Sequence, residues 1–185
     1  MALSAQDKML HVANKLGLTS LKDMQGTTRV VYDSVQTAAT QHTLFKNASQ
    51  RNFPLTNLGS NGNQFQVDEA LLVEVIGFFI PDAADGGYNN LGSANAAVVF
   101  DFYIGNKCVL KDVAVTPGDV QAFYGNGNVF SSQIFLEGAG ILIPPQVEFW
   151  MDVRICNDTT RVASSQRIGA YLFGTGALLN FNTTI

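Results

Sequence analysis

The chain has 185 residues, a net charge of -4 and only 14% charged residues, against about 25% in an average soluble domain. This length suffices for one domain whose core needs neither metals nor disulfides, and so little charge is typical of subunits that bury much of their surface in assemblies. The negative balance and the lack of a Lys/Arg run argue against a nucleic-acid groove or an anionic membrane surface.

Export and membrane insertion are not predicted. The first ten residues do not combine a positively charged start with an apolar run, so we expect no secretion signal. The apolar stretch Leu71–Pro81 is interrupted by Glu74 and falls short of the roughly 18 to 20 residues of a membrane span. We therefore expect a product that is soluble when made in the cytoplasm. Cys108 and Cys156 are expected to be free thiols, since a reducing cytosol disfavours disulfides.

A short amphipathic helix is predicted at the start of the chain. Ser4 and Asp7 resemble a capping box with Asp in place of Glu, and Gly17 supplies a C-terminal stop. About three turns of helix are too short to be stable alone, so the apolar side must dock on its own domain or, as an arm, on a neighbouring subunit. We divide the chain into this helix and arm, residues 1–26, and one domain, residues 27–185. The apolar side, at spacings i, i+3, i+4 and i+7, consists of Met9, Val12, Ala13 and Leu16.

The rest of the chain is predicted to consist of strands and turns. Leu71–Ile80 is apolar on both faces, which indicates a central strand or one that is covered from both sides. Val98–Ile104 alternates, and the turn signal Gly105-Asn106 predicts a hairpin with Cys108–Val115. The other predicted strands are Thr28–Val35, His42–Lys46, Val129–Leu136, Val147–Cys156 and Arg167–Phe173, the last followed by a kink at Gly174 and Gly176.

Residues Ile141–Cys156 are predicted to form a turn followed by one long amphipathic strand. Pro144-Pro145 withholds two backbone donors and must lie outside the ladder of hydrogen bonds. Trp150 faces away from the apolar side of the strand, so we expect it to be covered by a loop or the helix of its own chain, or by another subunit. The side predicted to face the core carries Val147, Phe149, Met151, Val153 and Ile155.

About eight strands with no helical pattern between them predict an all-β protein. Eight antiparallel strands over roughly 150 residues, joined by some long loops, fit a double-sheet jelly roll better than an immunoglobulin-like sandwich, whose turns come every 8 to 12 residues. The predicted fold is therefore a single jelly-roll β-sandwich of about eight antiparallel strands with a short N-terminal amphipathic helix.

Residues that carry chemistry are few. His11 and His42 have no metal-ligand spacing to Cys, Asp or Glu, and no nucleophile, zinc or phosphate-loop motif is present. We therefore predict no catalytic residue and no cofactor. A loop rich in oxygen donors is a weak calcium candidate, although the same residue types are ordinary turn formers. Its candidate ligands are Asp82, Asp85 and Asn89.

Three segments carry a resemblance to a known family. They are AVVFDFYIGNKCVLKDVAV, FLEGAGILIPPQVEFWMDVRI and RIGAYLFG, following an N-terminal arm. In layout and strand character, residues 27–176 resemble the single jelly-roll structural proteins of icosahedral viruses, particularly small capsid or vertex proteins of bacteriophages. The resemblance implies a shell subunit whose two sheets form the wall and whose loops and arm contact neighbours. It implies no catalytic residues.

Together these features predict a non-enzymatic structural protein of an icosahedral capsid, a major, vertex or minor shell subunit found in the virion. Its expected partners are copies of itself and other capsid proteins. The alternative is a carbohydrate- or receptor-binding jelly-roll head whose loops at Gln50–Gln66 and Asp82–Asn95 would hold the ligand. An enzyme is the least expected class. The predicted interface residues are Met9, Val12, Leu16 and Trp150.

Overall fold

The computed structural model describes residues 4–18, 21, 24–36, 41–51, 53–59, 62–79, 98–115, 133–136, 140–155 and 167–179. These residues form two antiparallel sheets and one α-helix, which confirms the prediction of an all-β, sandwich-like protein with a short helix. The elements are α1 (Ala5–Leu16), β1 (Gln25–Gln36), β2 (Gln41–Leu44), a 3-10 turn (Ala48–Gln50), β3 (Glu69–Phe79), β4 (Val98–Ile104), β5 (Lys107–Val115), β6 (Gln133–Phe135), β7 (Ile141–Ile143), β8 (Phe149–Ile155) and β9 (Arg167–Leu178).

The nine strands divide into two sheets. The first has the order β1-β9-β3-β6, with β7 also paired to β3, and the second has the order β2-β8-β4-β5. Every pairing is antiparallel. Neighbours in each sheet are mostly distant in sequence, so the chain crosses repeatedly between the sheets. Their inner faces enclose the main core.

Aromatic side chains fill much of this core. The Phe149 ring is fully buried, with its centroid 5.5 Å from that of Phe45 and 5.3 Å from that of Phe65. Phe78 of the first sheet meets Phe100 of the second at 5.1 Å. Removing each such ring from water contributes about 2 to 3 kcal/mol. As predicted for β8, Phe149 faces inward and its neighbour Trp150 faces outward and is half-buried.

Strand β3 is covered on both faces in its first half, as its apolar sequence predicted. Leu71 and Val73 point into the main core, while Ala70 and Leu72 point to the opposite side and pack under α1. This second cluster also contains Val12 of α1 together with Ala177 and Leu179, and the partly buried Met9, Leu16, Met24 and Leu142 pack against it.

Helix α1 begins and ends where the sequence predicted. The Ser4 hydroxyl accepts a hydrogen bond from the Asp7 N–H (3.1 Å) and the Asp7 carboxylate accepts one from the Ser4 N–H (3.2 Å), which completes a capping box. At the other end Gly17 adopts a left-handed conformation with φ of 71°. The Leu18 N–H then donates to the Ala13 carbonyl (2.9 Å), as in a Schellman motif.

Most strands differ from their predicted extents by one to three residues at an end, and two differ by more. β9 continues beyond its predicted end at Phe173 to Leu178, and its register with β3 shifts between Val73 and Val75, opposite Gly174 and Phe173. Only glycine fits at position 174, because a Cβ there would be 1.9 Å from the Leu72 oxygen. β7 was not predicted as a separate strand. Its three residues, which pair with Leu71–Val73, precede the Pro144-Pro145 turn, which lies outside the ladder as predicted.

A buried ion pair fixes the turn after β2 to β1. The Asp33 side chain is fully buried, and its carboxylate accepts hydrogen bonds from the Phe45 N–H (2.6 Å) and the Arg51 Nε (2.8 Å). Arg51 Nη2 makes a second, shorter contact with the same carboxylate. A charge buried this completely is tolerated because it is paired and hydrogen-bonded.

The free edge of β1 is occupied by the chain itself. Asn57 donates from its backbone N–H to the Tyr32 carbonyl (3.3 Å), accepts from the Tyr32 N–H (2.8 Å) and donates from its amide to the Val30 carbonyl (2.8 Å). Thr56 adds an isolated bridge to Asp33. An edge strand satisfied in this way presents few open backbone groups.

Candidate interaction surfaces

Trp150 lies on the outer face of the second sheet, between two side chains of its own chain. It is the cross-strand neighbour of Tyr103 on β4, and their rings are stacked with centroids 5.1 Å apart and planes 7° apart. The Lys46 Nζ lies 5.1 Å from the indole centroid. Because β8 lies between β2 and β4, Lys46 and Tyr103 approach the indole from opposite sides. The indole is therefore contacted by Tyr103 and Lys46, and Trp150 is half-buried.

The remainder of this outer face is polar and well paired. The Thr43 hydroxyl donates to the Asp152 carboxylate (2.9 Å), and Arg154 Nη2 donates to Asp112 (2.7 Å) and Asp101 (3.2 Å). Asp101 and Asp152 are directly opposite each other on neighbouring strands, where like charges repel. The Arg154 guanidinium offsets this repulsion, so the face carries a compact network of charges.

Tyr103 shares this electrostatic environment. Desolvation by burial, followed by the electrostatic effects of Cys108, Asp101 and Asp152, raises the pKa of its phenol above the usual 10.0. Each of these effects disfavours the phenolate. Tyr103 therefore stays a neutral partner for the indole at physiological pH, and the exposed Cys108 lies directly across from it on β5.

The outer face of the first sheet has a different character, because α1 covers one half of it. Val12 is fully buried there, and Met9 lies against Gly26 of β1. At the edge of the covered half, Lys8 forms a salt bridge with Glu74, whose carboxylate also accepts a hydrogen bond from the Thr175 hydroxyl (3.1 Å). This half of the sheet is thereby buried by the chain's own helix.

We call the other half, over which no other element of the described residues lies, the uncovered half. It begins with a row of apolar side chains. Val30 of β1 is opposite Phe173 of β9, Phe173 is opposite Val75 of β3, and Val75 is opposite Phe135 of β6. Val30 is 43% exposed, Phe173 37% and Phe135 66%. We call these four residues the apolar row. It crosses the sheet beside the covered half, and contiguous apolar surface of this kind marks interaction sites.

Beyond the apolar row lies a row built around Tyr171. The Tyr171 ring lies directly over Gly77 of β3, where an added Cβ would be 2.2 Å from the ring. Its hydroxyl accepts a hydrogen bond from the Gln133 amide, and Tyr32 lies opposite it on β1. Burial raises the pKa of Tyr171 above 10.0, partly countered by this hydrogen bond. These two rows are thus uncharged and rich in aromatic side chains.

The sequence-predicted site residues divide between the two faces. Met9, Val12 and Leu16 pack on the chain's own sheet, which is the first of the two alternatives for the helix, and their role as contacts to another subunit stays a prediction. Trp150 contacts Tyr103 of β4 and Lys46 of the turn after β2, both in its own chain, and its role as a contact to another subunit stays a prediction.

The calcium candidates Asp82, Asp85 and Asn89 lie outside the described residues. Within the described part of the chain, no group of three or more His, Cys, Asp or Glu side chains is placed to hold a metal ion. His11 and His42 are half-buried on separate elements, α1 and β2.

Sequence reasoning missed the apolar row. Its residues come from four strands, and only the register brings them together. Val30 precedes Val31, and Phe173 follows Leu172; Val31 and Leu172 face the core. From the sequence alone, either of two adjacent apolar residues fits the core position equally well. The signal available was an apolar residue on both faces of β1 and β9.

Comparison with known proteins adds no relative. No protein-family model matches the chain, and no curated protein matches its sequence. Among the residues that the structure describes, no helix combines the length and hydropathy required to cross a bilayer.

Proposed function

We propose that this protein is a single jelly-roll structural subunit of an icosahedral viral shell. The observation that carries the proposal is the order in which the strands pair: β1 with β9, β2 with β8, β3 with β6 and β7, and β4 with β5. If β6 and β7, which pair with the same strand, are taken as one interrupted strand, eight strands pair first with last and inward. A long hairpin rolled into two facing sheets has this order, which is that of a jelly roll.

The two outer faces support a role in assembly. One presents the Trp150 stack within a charged network, and the other presents the apolar row beside α1. A subunit of a closed shell needs several distinct contact surfaces of this kind, since each copy meets neighbours in different directions. The expected partners are copies of the chain and other capsid proteins, and the expected location is the virion.

The alternative of a carbohydrate-binding head receives no support from Trp150. An indole that holds a sugar offers an open ring face, whereas this one has Tyr103 on one side and Lys46 on the other. Aromatic rings at protein interfaces also contribute through their edges and their apolar area. The half-buried Trp150, with two side chains already against its ring, therefore fits contact with another protein better than contact with a glycan.

The experiment is to determine the size of the purified protein and of two Trp150 variants. Light scattering and electron microscopy of the wild type should give rings of five or six subunits or closed particles. A protein that stays monomeric at every concentration, or a discrete trimer that binds glycans, would overturn the proposal.

Trp150→Asp should remain a folded monomer and assemble poorly, because a hydrated carboxylate replaces the apolar edge of the indole. Trp150→Phe, the matched control, keeps an aromatic ring against Tyr103 and should assemble nearly as the wild type does. Unfolding of the Asp variant, or its normal assembly, would reject the role assigned to Trp150.

A further inference from the structure

We infer that the apolar row, together with the exposed side of α1, is a contact surface that a second copy of this chain covers. The inference rests on the proposed shell function and names the surface through which two subunits pair. Four observations support it: where exposed apolar side chains are concentrated, the charge of the surface, its shape and its area.

Exposed apolar side chains are concentrated on this side of the molecule. Of the eight large hydrophobic side chains that are exposed among the described residues, five belong to the first sheet's outer face, to α1 or to the residue that follows its cap. These five are Leu10, Leu18, Val30, Phe135 and Phe173. The other three, Phe53, Val67 and Val109, lie apart on a loop, a turn and an edge strand.

The charge of the surface suits an identical partner. The chain carries a net charge of -4, so two copies repel unless they meet through neutral patches. Neither the apolar row nor the row of Tyr32, Tyr171 and Gln133 beyond it contains a charged residue. The ion pair beside the apolar row, Lys8 with Glu74, is neutral as a whole. A polyanion or an anionic bilayer would find no cationic side chain in either row.

The shape of the surface is a step that fits its own copy. α1 stands about 10 Å above one half of the sheet, and on the other half the apolar row is exposed, with no other element of the described residues above it. A two-fold axis along the boundary between the two halves of the sheet places the α1 of each copy over the partner's uncovered half. The two copies then meet in an isologous contact. In this arrangement Leu10, on the exposed side of α1, meets the partner's apolar row.

The area indicates a weak pair. The two rows span four strands about 4.8 Å apart and roughly three residues of about 3.3 Å each, which is a footprint of about 200 Å². The exposed side of a 12-residue helix adds about 180 Å². The sum is below the roughly 800 Å² per partner of a standard stable interface. Two isolated copies should therefore pair reversibly, and the contact gains strength when several contacts act together in a shell.

The test is sedimentation of the full chain over a wide concentration range, with Phe135→Asp compared with Phe53→Asp. Phe53 is even more exposed, at 80%, but lies on the 53–59 loop. Wild type and Phe53→Asp should show a reversible monomer–dimer equilibrium. Phe135→Asp should weaken it at least about 100-fold, because each copy loses about two-thirds of a phenyl ring of about 200 Å² from the contact.

The outcomes separate this inference from the shell function. If Phe135→Asp and Phe53→Asp dimerise equally while the wild type still forms particles, the inference is overturned and the shell function stands. A wild type that is monomeric at its solubility limit would overturn both, and one that forms dimers but no larger species would overturn the shell function alone. If the wild type floats with phosphatidylcholine vesicles and Phe135→Asp does not, the surface binds lipid and the inference is overturned.

A second measurement covers the case in which Phe135→Asp does not fold. Amide hydrogen exchange of the wild type at low and high concentration should show added protection in Val30–Tyr32 and Tyr171–Thr175, but none in β5. Protection that is independent of concentration in these segments would overturn the inference.

Discussion

Replacing Arg51 with Met should destabilise the protein far more than an ordinary loss of a salt bridge. The substitution leaves the Asp33 carboxylate, which is fully buried, without its guanidinium. Removing one partner of a buried ion pair costs about 3 to 5 kcal/mol. We expect the lower end, about 3 kcal/mol, because the Arg51 side chain is itself 17% exposed and the Phe45 N–H still donates to Asp33.

The matched control is Arg29→Met. Arg29 pairs with Glu69 at 3.0 Å, but the two side chains are 29% and 25% exposed. A pair this accessible to water contributes about 1 kcal/mol or less, and the contact of Arg29 with the Phe65 ring, 4.7 Å from its centroid, adds roughly 0.5 kcal/mol. The difference between the two variants therefore isolates the effect of burial.

Urea unfolding followed by the fluorescence of Trp150, the single tryptophan, measures both variants. Arg51→Met should lower the midpoint with an unchanged slope and lower the melting temperature by roughly 6 to 12 °C, at 2 to 4 °C per kcal/mol for a chain of this size. Adding Asp33→Asn should restore part of the loss, since an amide oxygen still accepts from the Phe45 N–H without a buried charge. If Arg51→Met is no less stable than Arg29→Met, the reasoning is refuted.

Three further predictions follow from the packing. Val12→Asp places a charge in the cluster under α1, so we expect the helix to detach and proteases to cleave before Met24. Residues 27–185 should still unfold cooperatively in urea. Loss of the cooperative urea transition together with the helix would contradict this. Gly174→Ala should cost about 3 kcal/mol in urea unfolding, because the added carbon would meet a backbone oxygen at 1.9 Å; wild-type stability would refute the β3–β9 register. The raised pKa of Tyr171 means that the fold favours the neutral phenol, so its contribution is present below pH 10 and lost as the pH rises above 10. Tyr171→Phe should reduce the fall in the urea midpoint between pH 9 and pH 11. A fall as large as that of the wild type would contradict the assignment.

Elements defined by local signals were predictable from sequence. The capping box and Gly17 placed α1 correctly, and strict alternation placed β4 and the inward side of β8. β7 and the full length of β9 were not predictable, because three residues before a Pro-Pro turn carry no periodicity and glycine is a weak strand former. Only the approach of the β3 backbone explains why position 174 of β9 requires glycine.

The candidate surfaces were predictable only in part. Alternation places Trp150 on the outside, but its pairing with Tyr103 depends on the register between β4 and β8, which lie far apart in sequence. The apolar row requires the register of four strands at once. Asp33 gave no signal at all, since its partner Arg51 lies in an irregular segment 18 residues later. Such contacts are set by topology, and periodicity records only which side a residue faces.

The segment that closes the β1 edge limits how copies can combine. With Asn57 occupying the backbone groups of Val30 and Tyr32, a second molecule cannot extend the first sheet by adding a strand there. Lateral strand addition has no natural end and leads to fibres, whereas contacts between faces can close on themselves. The Thr56–Asn57 segment thus directs association away from open-ended growth at this edge. Replacing Asn57 with alanine would remove two of its hydrogen bonds to β1 while the backbone N–H at position 57 still donates to Tyr32.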